Sequence, residues 1–73
     1  MQYLALIEPT TDGGYSAYVP DLPVCFTVGD TVEETKANIR EAVEIYLDEL
    51  KMEGKTLPQP TPKIPTFIEV QAA

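Results

Sequence analysis

The lack of any internal cross-link, whether a disulfide or a metal site, is what most constrains the folding of this chain. It has 73 residues, with a single cysteine (Cys25) and no histidine, which allows neither an internal disulfide nor a cysteine–histidine zinc site. A domain of this size buries only about 60% of the surface that its unfolded chain exposes, so its stability is marginal. Small domains often gain stability from a partner. We therefore expect this chain to bind a second copy of itself or another protein.

The charge of the chain is strongly negative. Twelve acidic residues outnumber five basic ones, which gives a net charge of −7 and a pI near 4.2. Nucleic-acid binding relies on lysine and arginine to neutralise phosphates, so this composition argues against direct binding to DNA or RNA. A protein with a basic surface would be attracted instead, although acidity can also serve solubility alone.

One amphipathic helix is predicted from about Val32 to about Glu53. Thr31 is placed to cap its first turn, and Glu34 is placed to reach back to the Thr31 amide. Apolar residues recur in this segment at spacings of three and four, which produces one apolar stripe. The stripe consists of Ile39, Ala42, Val43, Tyr46, Leu47 and Leu50. Gly54 stands where a left-handed residue commonly ends a helix.

Three short strands are predicted before this helix. The apolar run of residues 3–8 is followed by a turn at residues 10–14, where Asp-Gly and Gly-Gly suit a hairpin reversal. Residues 15–19 alternate as a second strand. Prolines interrupt the chain over residues 20–23, and residues 24–28 are β-branched and aromatic, as in a third strand.

The segment after the helix is rich in proline. Its prolines predict an extended, stiff stretch from Lys55 to Pro65 rather than a second helix. Residues 66–70 alternate again and are predicted to form a last strand. The resulting order, β-β-β-α-β, indicates an α+β fold, a two-layer sandwich in which the helix packs on one face of the sheet.

The first predicted strand is apolar on both faces. Successive strand residues point to opposite sides, so Leu4 and Leu6 point away from Tyr3, Ala5 and Ile7. One helix covers one face of the sheet, and apolar residues on the other face should be covered by another chain. We therefore expect a homodimer.

Catalytic side chains are scarce. Without histidine and with one cysteine, the chain cannot assemble Ser-His-Asp or Cys-His sites, and it has no phosphate-binding loop. Carboxylates could still hold magnesium for nuclease chemistry, but Asp12, Asp21 and Asp30 are explained more simply by turns and a helix start. We expect no enzyme activity, no cofactor and no metal.

Nothing in the sequence indicates a membrane protein. No apolar run approaches the roughly 18 residues that a membrane span needs. The first residues lack the basic leader and the long apolar stretch of a signal peptide. We expect a cytoplasmic protein that does not bind membranes.

Several segments together resemble HicB-type antitoxins of type II toxin–antitoxin systems. The run from Gly13 to Pro23 resembles the strand-turn signature of that family, and the run from Cys25 to Glu34 resembles its strand-to-helix joint. Residues 41–47 are similar to the family's helix, and residues 58–62 to the proline-rich segment that follows it. The resemblance covers about residues 3–70.

The resemblance implies a partial ribonuclease-H-like (HicB-like) fold without a working nuclease site. It also implies a partner, a HicA-type toxin, which is a small basic ribonuclease that cuts mRNA. Many family members carry an additional DNA-binding segment, but this sequence ends at Ala73, and we expect a single HicB-like domain over residues 1–73 with no DNA-binding domain. Val24 stands where the family usually has glycine, so the local turn is expected to differ.

Our first hypothesis is an antitoxin that neutralises such a toxin sterically and electrostatically. Carboxylates in turns and loops would pair with toxin lysine and arginine side chains, and two apolar side chains would act as anchors. The residues predicted to contact the partner are Glu8, Asp12, Tyr15, Asp21, Leu22 and Asp30. The alternative hypothesis is a solitary, dimeric HicB-like scaffold domain without a toxin, and a carboxylate–metal nuclease is the third.

Overall fold

A three-stranded antiparallel sheet and one helix make up the fold. A computed structural model describes residues 1–72. Strand β1 spans Leu6–Pro9, β2 spans Tyr15–Val19 and β3 spans Leu22–Gly29, and helix α1 follows over Val32–Met52. The strands lie in the order β1-β2-β3, so each pairs with its neighbour in the sequence. The predicted α+β class is confirmed.

The strand register separates an inner from an outer face of the sheet. Ile7 lies opposite Ala17, which lies opposite Thr27 in β3, and this row faces α1. The buried core consists of Ala17, Val19, Leu22, Cys25 and Ile39. Tyr3 and Val43 are among the half-buried side chains that pack around it. The core is therefore small and lies wholly between the inner face and the helix.

The third strand begins earlier than the sequence predicts. Only Pro20 and Asp21 separate β2 from β3, because Leu22 already pairs with Val19. The pairing is irregular between Tyr18 and Val19, as at a β-bulge, and this irregularity accommodates the extra residues of β3. Within residues 1–72, positive φ angles are confined to two glycines. Val24 therefore sits in the bulged strand without a left-handed backbone.

Helix α1 begins at the predicted cap. The Glu34 amide donates to the Thr31 hydroxyl oxygen at 3.0 Å, which confirms Thr31 as the N-cap. The Glu34 carboxylate accepts from the amide of Asp30 at 3.1 Å. The predicted partner of this carboxylate, the Thr31 amide, is therefore wrong by one residue.

The helix ends in a Schellman motif. Gly54 has a φ of 71°, and its amide donates to the Lys51 carbonyl at 3.0 Å. The next amide, that of Lys55, donates to the Leu50 carbonyl at 2.9 Å. These two hydrogen bonds satisfy carbonyls that the helix leaves unpaired, and they confirm the predicted role of the glycine.

Gly29 allows the end of β3 to lie against the start of α1. A Cβ atom on Gly29 would lie 2.5 Å from the Thr35 hydroxyl oxygen and 3.0 Å from the Thr35 amide nitrogen. The Thr35 side chain is fully buried and donates to the Thr31 carbonyl at 2.7 Å. Asn38 donates to the Val28 carbonyl at 2.9 Å. The helix is thus fixed to β3 at a distance that leaves no room for a side chain at position 29.

The segment after the helix crosses the domain and is fastened at the turn between β2 and β3. The Tyr3 hydroxyl donates to the Pro58 carbonyl. The Asp21 carboxylate accepts from the Thr61 amide at 2.8 Å and from the Lys63 ammonium at 2.6 Å. These contacts lower the pKa of Asp21 from 3.8 to about 2, with Lys63 as the largest cause. Asp21 therefore anchors this segment.

The predicted last strand is absent from the structure. Residues 66–70 form no strand pairing, and Phe67 is 100% exposed. Alternation predicts which side chains would share a face, but a strand also needs a second strand to pair its backbone groups, and none lies beside this segment. The order in the described chain is β-β-β-α.

We expect Gly29→Ala to destabilise the fold by about 1–3 kcal/mol, because the new methyl group overpacks the contact with Thr35. Gly29→Asn should cost more than Gly29→Ala, since a longer side chain clashes further. The measurement is the free energy of unfolding in urea, followed by circular dichroism.

Gly54 provides a matched control, because nothing lies within 4 Å of its Cβ position. Its constraint is the positive φ, which asparagine tolerates better than alanine. Gly54→Asn should therefore cost less than Gly54→Ala. The same ranking at Gly29 would mean that backbone conformation, and not close contact, sets the need for glycine there.

The anchor at Asp21 should respond to acid. Because the folded pKa lies below the ordinary value, ionised Asp21 stabilises the anchor fully above about pH 4, and this stabilisation is lost as the pH falls through about 2. The Thr61 amide resonance should titrate with a midpoint near 2 and lose this titration in Asp21→Asn. Asp48→Asn, a change of the same charge on the exposed side of α1, should leave it intact. A midpoint close to 3.8 would show that the anchor does not form.

Candidate partner-binding surface

The face of the sheet opposite α1 carries a row of exposed apolar side chains. Leu6 lies opposite Tyr18, and Tyr18 lies opposite Phe26, across all three strands. Val24 and Val28 continue the row along β3. Phe26 is 62% exposed and Val24 70% exposed. We call these five residues the outer apolar face; a contiguous patch of this kind commonly marks a site of protein interaction.

Acidic side chains gather at one end of this sheet, where the hairpin between β1 and β2 meets the junction of β3 and α1. A shallow groove of about 360 Å³ lies there and is lined by Asp12, Asp30 and Glu34. Tyr15 and Val28 also line it, so it adjoins the outer apolar face. We call the three carboxylates the acidic end.

Asp12 is held in an ionised state by its own turn. Its Oδ1 accepts a hydrogen bond from the Thr10 hydroxyl and another from the Gly14 amide, the latter at 3.2 Å. These two bonds, with that from Thr10 the larger cause, lower the pKa of Asp12 below its usual value. The turn therefore presents a fixed negative charge.

The sheet and its loops contain no basic residue at all. Residues 1–35 include no lysine or arginine, and the five basic side chains all lie in α1 or beyond it. The acidic residues of the same segment are Glu8, Asp12, Asp21, Asp30, Glu33 and Glu34. Asp21 pairs with Lys63 and Glu33 with Lys36, so the negative charge offered to a basic protein is that of Glu8, Asp12, Asp30 and Glu34. Such a charge favours rapid and oriented association.

Four of the six predicted contact residues lie on or beside this surface. Asp12, Tyr15 and Asp30 come together in the groove of the acidic end. Glu8 is exposed in β1 and lies opposite Ser16, on the same face as Leu6. The fold thus joins residues that are distant in the sequence into one surface.

The other two predicted contact residues have different roles. Leu22 is 1% exposed and belongs to the core, so its side chain cannot contact a partner on the folded domain. Asp21 lies at the far end of the sheet, where its carboxylate is bound to Thr61 and Lys63. The prediction for Leu22 is wrong, because β3 already starts at this residue and its side chain is buried. The prediction for Asp21 stays a prediction, although its carboxylate already has partners within the chain.

The sequence analysis missed most of the outer apolar face. Leu6 was predicted to point away from Ala5 and Ile7, but residues 24–28 were predicted only to form a strand. The signal was present, since Val24, Phe26 and Val28 are spaced two residues apart. Because successive side chains of a strand point to opposite faces, this spacing predicts that the three apolar side chains lie together on one face of the sheet.

The described part of the chain offers little support for a metal site, a membrane-spanning helix or a reactive cysteine. Within residues 1–72, no three aspartate, glutamate or cysteine side chains are grouped so that they could hold a metal ion. No helix in that range has the length and apolar character needed to cross a membrane. Cys25 is buried, and burial raises the pKa of its thiol, which reduces its reactivity.

Comparisons with known proteins agree on one family. A sequence model described as "HicB_like antitoxin of bacterial toxin-antitoxin system" matches residues 3–70. A UPF0150 protein of Synechocystis sp. is 46% identical over 57 residues, which cover 78% of this chain and 72% of the relative. A UPF0150 protein of Thermoplasma acidophilum is 41% identical over 59 residues, which cover 81% of this chain and 86% of the relative.

A longer relative bears the name of an antitoxin. Antitoxin HicB 1 of Photorhabdus laumondii is 30% identical over 70 residues, which cover 96% of this chain. The match spans 45% of that relative, so this chain corresponds to less than half of it.

Proposed function

We propose, on the premise that this chain belongs to the HicB_like antitoxin family of bacterial toxin–antitoxin systems, that it binds a basic HicA-type toxin and blocks its ribonuclease site. In this proposal the complex forms in the cytoplasm, where the toxin cuts mRNA. This chain itself makes no direct contact with DNA or RNA. A partial ribonuclease-H-like fold without nuclease activity belongs to the same proposal.

One observation carries this function, namely that the outer apolar face adjoins the acidic end on a sheet without a single basic residue. Protein interfaces commonly combine an apolar centre with a polar rim. Here Phe26 and Tyr18 supply the centre, while Glu8, Asp12 and Asp30 supply a rim of one sign. A partner that fits this surface has an exposed apolar patch bordered by lysine and arginine.

Inhibition would be stoichiometric, with no bond made or broken. A ribonuclease needs basic side chains to neutralise RNA phosphates. Those same side chains form charge-assisted hydrogen bonds with carboxylates, so a carboxylate bound to them competes directly with the substrate. Burial of Phe26 and Tyr18 would slow dissociation, whereas the acidic end would mainly speed association.

A HicB-like binding domain without a toxin is the alternative function. Two UPF0150 relatives favour this alternative, because their names mention no toxin. The match covers 72% of the length of one relative and 86% of the other. The reading frame next to the gene discriminates between the two. A short basic protein with a histidine encoded there supports the antitoxin, and its absence favours the alternative.

We expect the double variant Asp12→Asn, Asp30→Asn to bind the adjacent toxin with an association rate constant about tenfold lower at low salt, because two steering charges are lost. The difference should shrink as salt screens the charges. Phe26→Ser should act differently, by raising the dissociation rate constant. Stopped-flow binding to a catalytically inactive toxin measures both.

The matched control is Glu41→Gln, Asp48→Asn, which removes two exposed charges from α1 and should change neither rate constant by more than twofold. A second measurement tests the function itself, namely growth during co-expression with the active toxin. Growth arrest that persists while this protein is abundant and soluble would show that it is not the antitoxin.

A further inference from the structure

The segment beyond the Asp21 anchor exposes apolar side chains that a monomer does not use. We call residues 64–72 the arm. Phe67 is 100% exposed, Ile68 79% and Val70 75%. The molecule is elongated, with extents of 52 × 28 × 16 Å and a radius of gyration of 14.6 Å. A compact chain of this length would have a radius of roughly 11 Å, so the arm does not pack on its own domain.

The sheet, in turn, has an unoccupied edge beside β1. This strand pairs only with β2, and residues 3–5 before it have no strand partner. A strand edge of this kind presents unpaired amide and carbonyl groups to any extended chain that reaches it. Strand addition at such an edge is a common mode of recognition.

A groove lies where the side chains of an added strand would go. It has a volume of about 1040 Å³ and is bounded by residues 1–5, by the apolar stripe of α1, and by residues 60–63 and 65 of the same chain. Ala5, Ile39, Val43 and Leu47 contribute its apolar lining. The groove is thus the space beneath the helix that three strands leave unfilled.

We propose that residues 66–70 of a second copy of this chain add to the edge formed by residues 3–7, and that two copies exchange their arms reciprocally. In an extended strand Ile68 and Val70 share one side, and Phe67 lies on the other. With Ile68 and Val70 in the groove, Phe67 lies beside Leu6 and extends the outer apolar face. The alternation that predicts a strand in this segment is thereby satisfied between chains.

The anchor favours exchange over pairing within one chain. Thr61 and Lys63 are bound to Asp21, and Pro62 and Pro65 restrict the backbone on either side of Lys63. All residues of the arm are exposed, so beyond this fixed point the arm does not pack back onto its own domain. A stiff hinge that directs a strand outwards is a common origin of strand exchange between identical chains.

The area involved is sufficient for a stable dimer. An aromatic side chain such as Phe67 buries roughly 150–250 Å², and the surface that it covers is removed from water as well. Two arms, each with Phe67, Ile68 and Val70, together exceed the roughly 1,000 Å² that a specific interface needs. The acidic end lies at the opposite end of the sheet from the Asp21 anchor, so this exchange leaves it accessible.

The first test is the oligomeric state of the full chain. Light scattering should give twice the 8.1 kDa monomer mass. The variant Phe67→Asp, Ile68→Asp should be a folded monomer, with the dissociation constant of the dimer raised at least 100-fold. Met52→Asp, a change at an 87% exposed apolar residue at the end of α1, should remain a dimer. A monomeric wild-type chain, or a dimer that survives the double substitution in the arm, overturns the proposal.

The second test locates the arm directly. The variant Gln71→Cys, prepared without ¹⁵N, carries a spin label. The label is attached in the native state, in which Cys25 is 2% exposed and does not react. The labelled chain is then mixed in urea with the ¹⁵N-labelled wild-type chain, and the mixture is refolded. The amides of residues 3–7 of the ¹⁵N chain should broaden, and those of residues 12–14 should not. Broadening of residues 3–7 only when label and ¹⁵N are on the same chain would show pairing within one chain and overturn the exchange.

Discussion

The packing of one helix against one face of a three-stranded sheet is the constraint on which the rest of this structure depends. The core is limited to Ala17, Val19, Leu22, Cys25 and Ile39 with a few half-buried neighbours. Gly29 lets the helix start so close to β3 that Thr35 is completely buried. Because there is no second helix in the described chain, the opposite face of the sheet stays exposed. The apolar residues on that face are available to a partner for this reason alone.

Charge then separates the molecule into two sides. The charged side chains of the strands and their loops are all acidic, whereas α1 carries both signs and every basic side chain lies on α1 or after it. In the proposed complex the acidic end guides a basic partner, and the outer apolar face holds it. The arm has exposed apolar side chains, and the edge of β1 has unpaired backbone groups. These two would associate through backbone hydrogen bonds and apolar contacts rather than through charge. A second copy of the chain would therefore bind at the edge of β1 and a toxin at the acidic end and the outer apolar face, with Phe67 of the arm at the border between the two places.

The candidate site was only partly predictable from the sequence. Asp12 and Asp30 were identifiable because turn and cap positions leave carboxylates on the surface. Leu22 was misjudged, since its place between two prolines suggested a loop, whereas pairing with Val19 makes it part of the core. The intrachain anchor at Asp21 could not be predicted, because its partner Lys63 lies 42 residues away. Burial and long-range ion pairs depend on which segments meet, and local pattern does not contain that information.

The sequence by itself determined the elements whose stability is local. The hairpin turn and both ends of α1 follow from glycine and from capping groups within a few residues. Only the tertiary structure decided where β3 begins, which carboxylates form one surface, and that residues 66–70 have no strand partner within the chain. A helix satisfies its hydrogen bonds from its own backbone, but a strand needs another strand, and its position is therefore settled by the whole fold or by a second molecule.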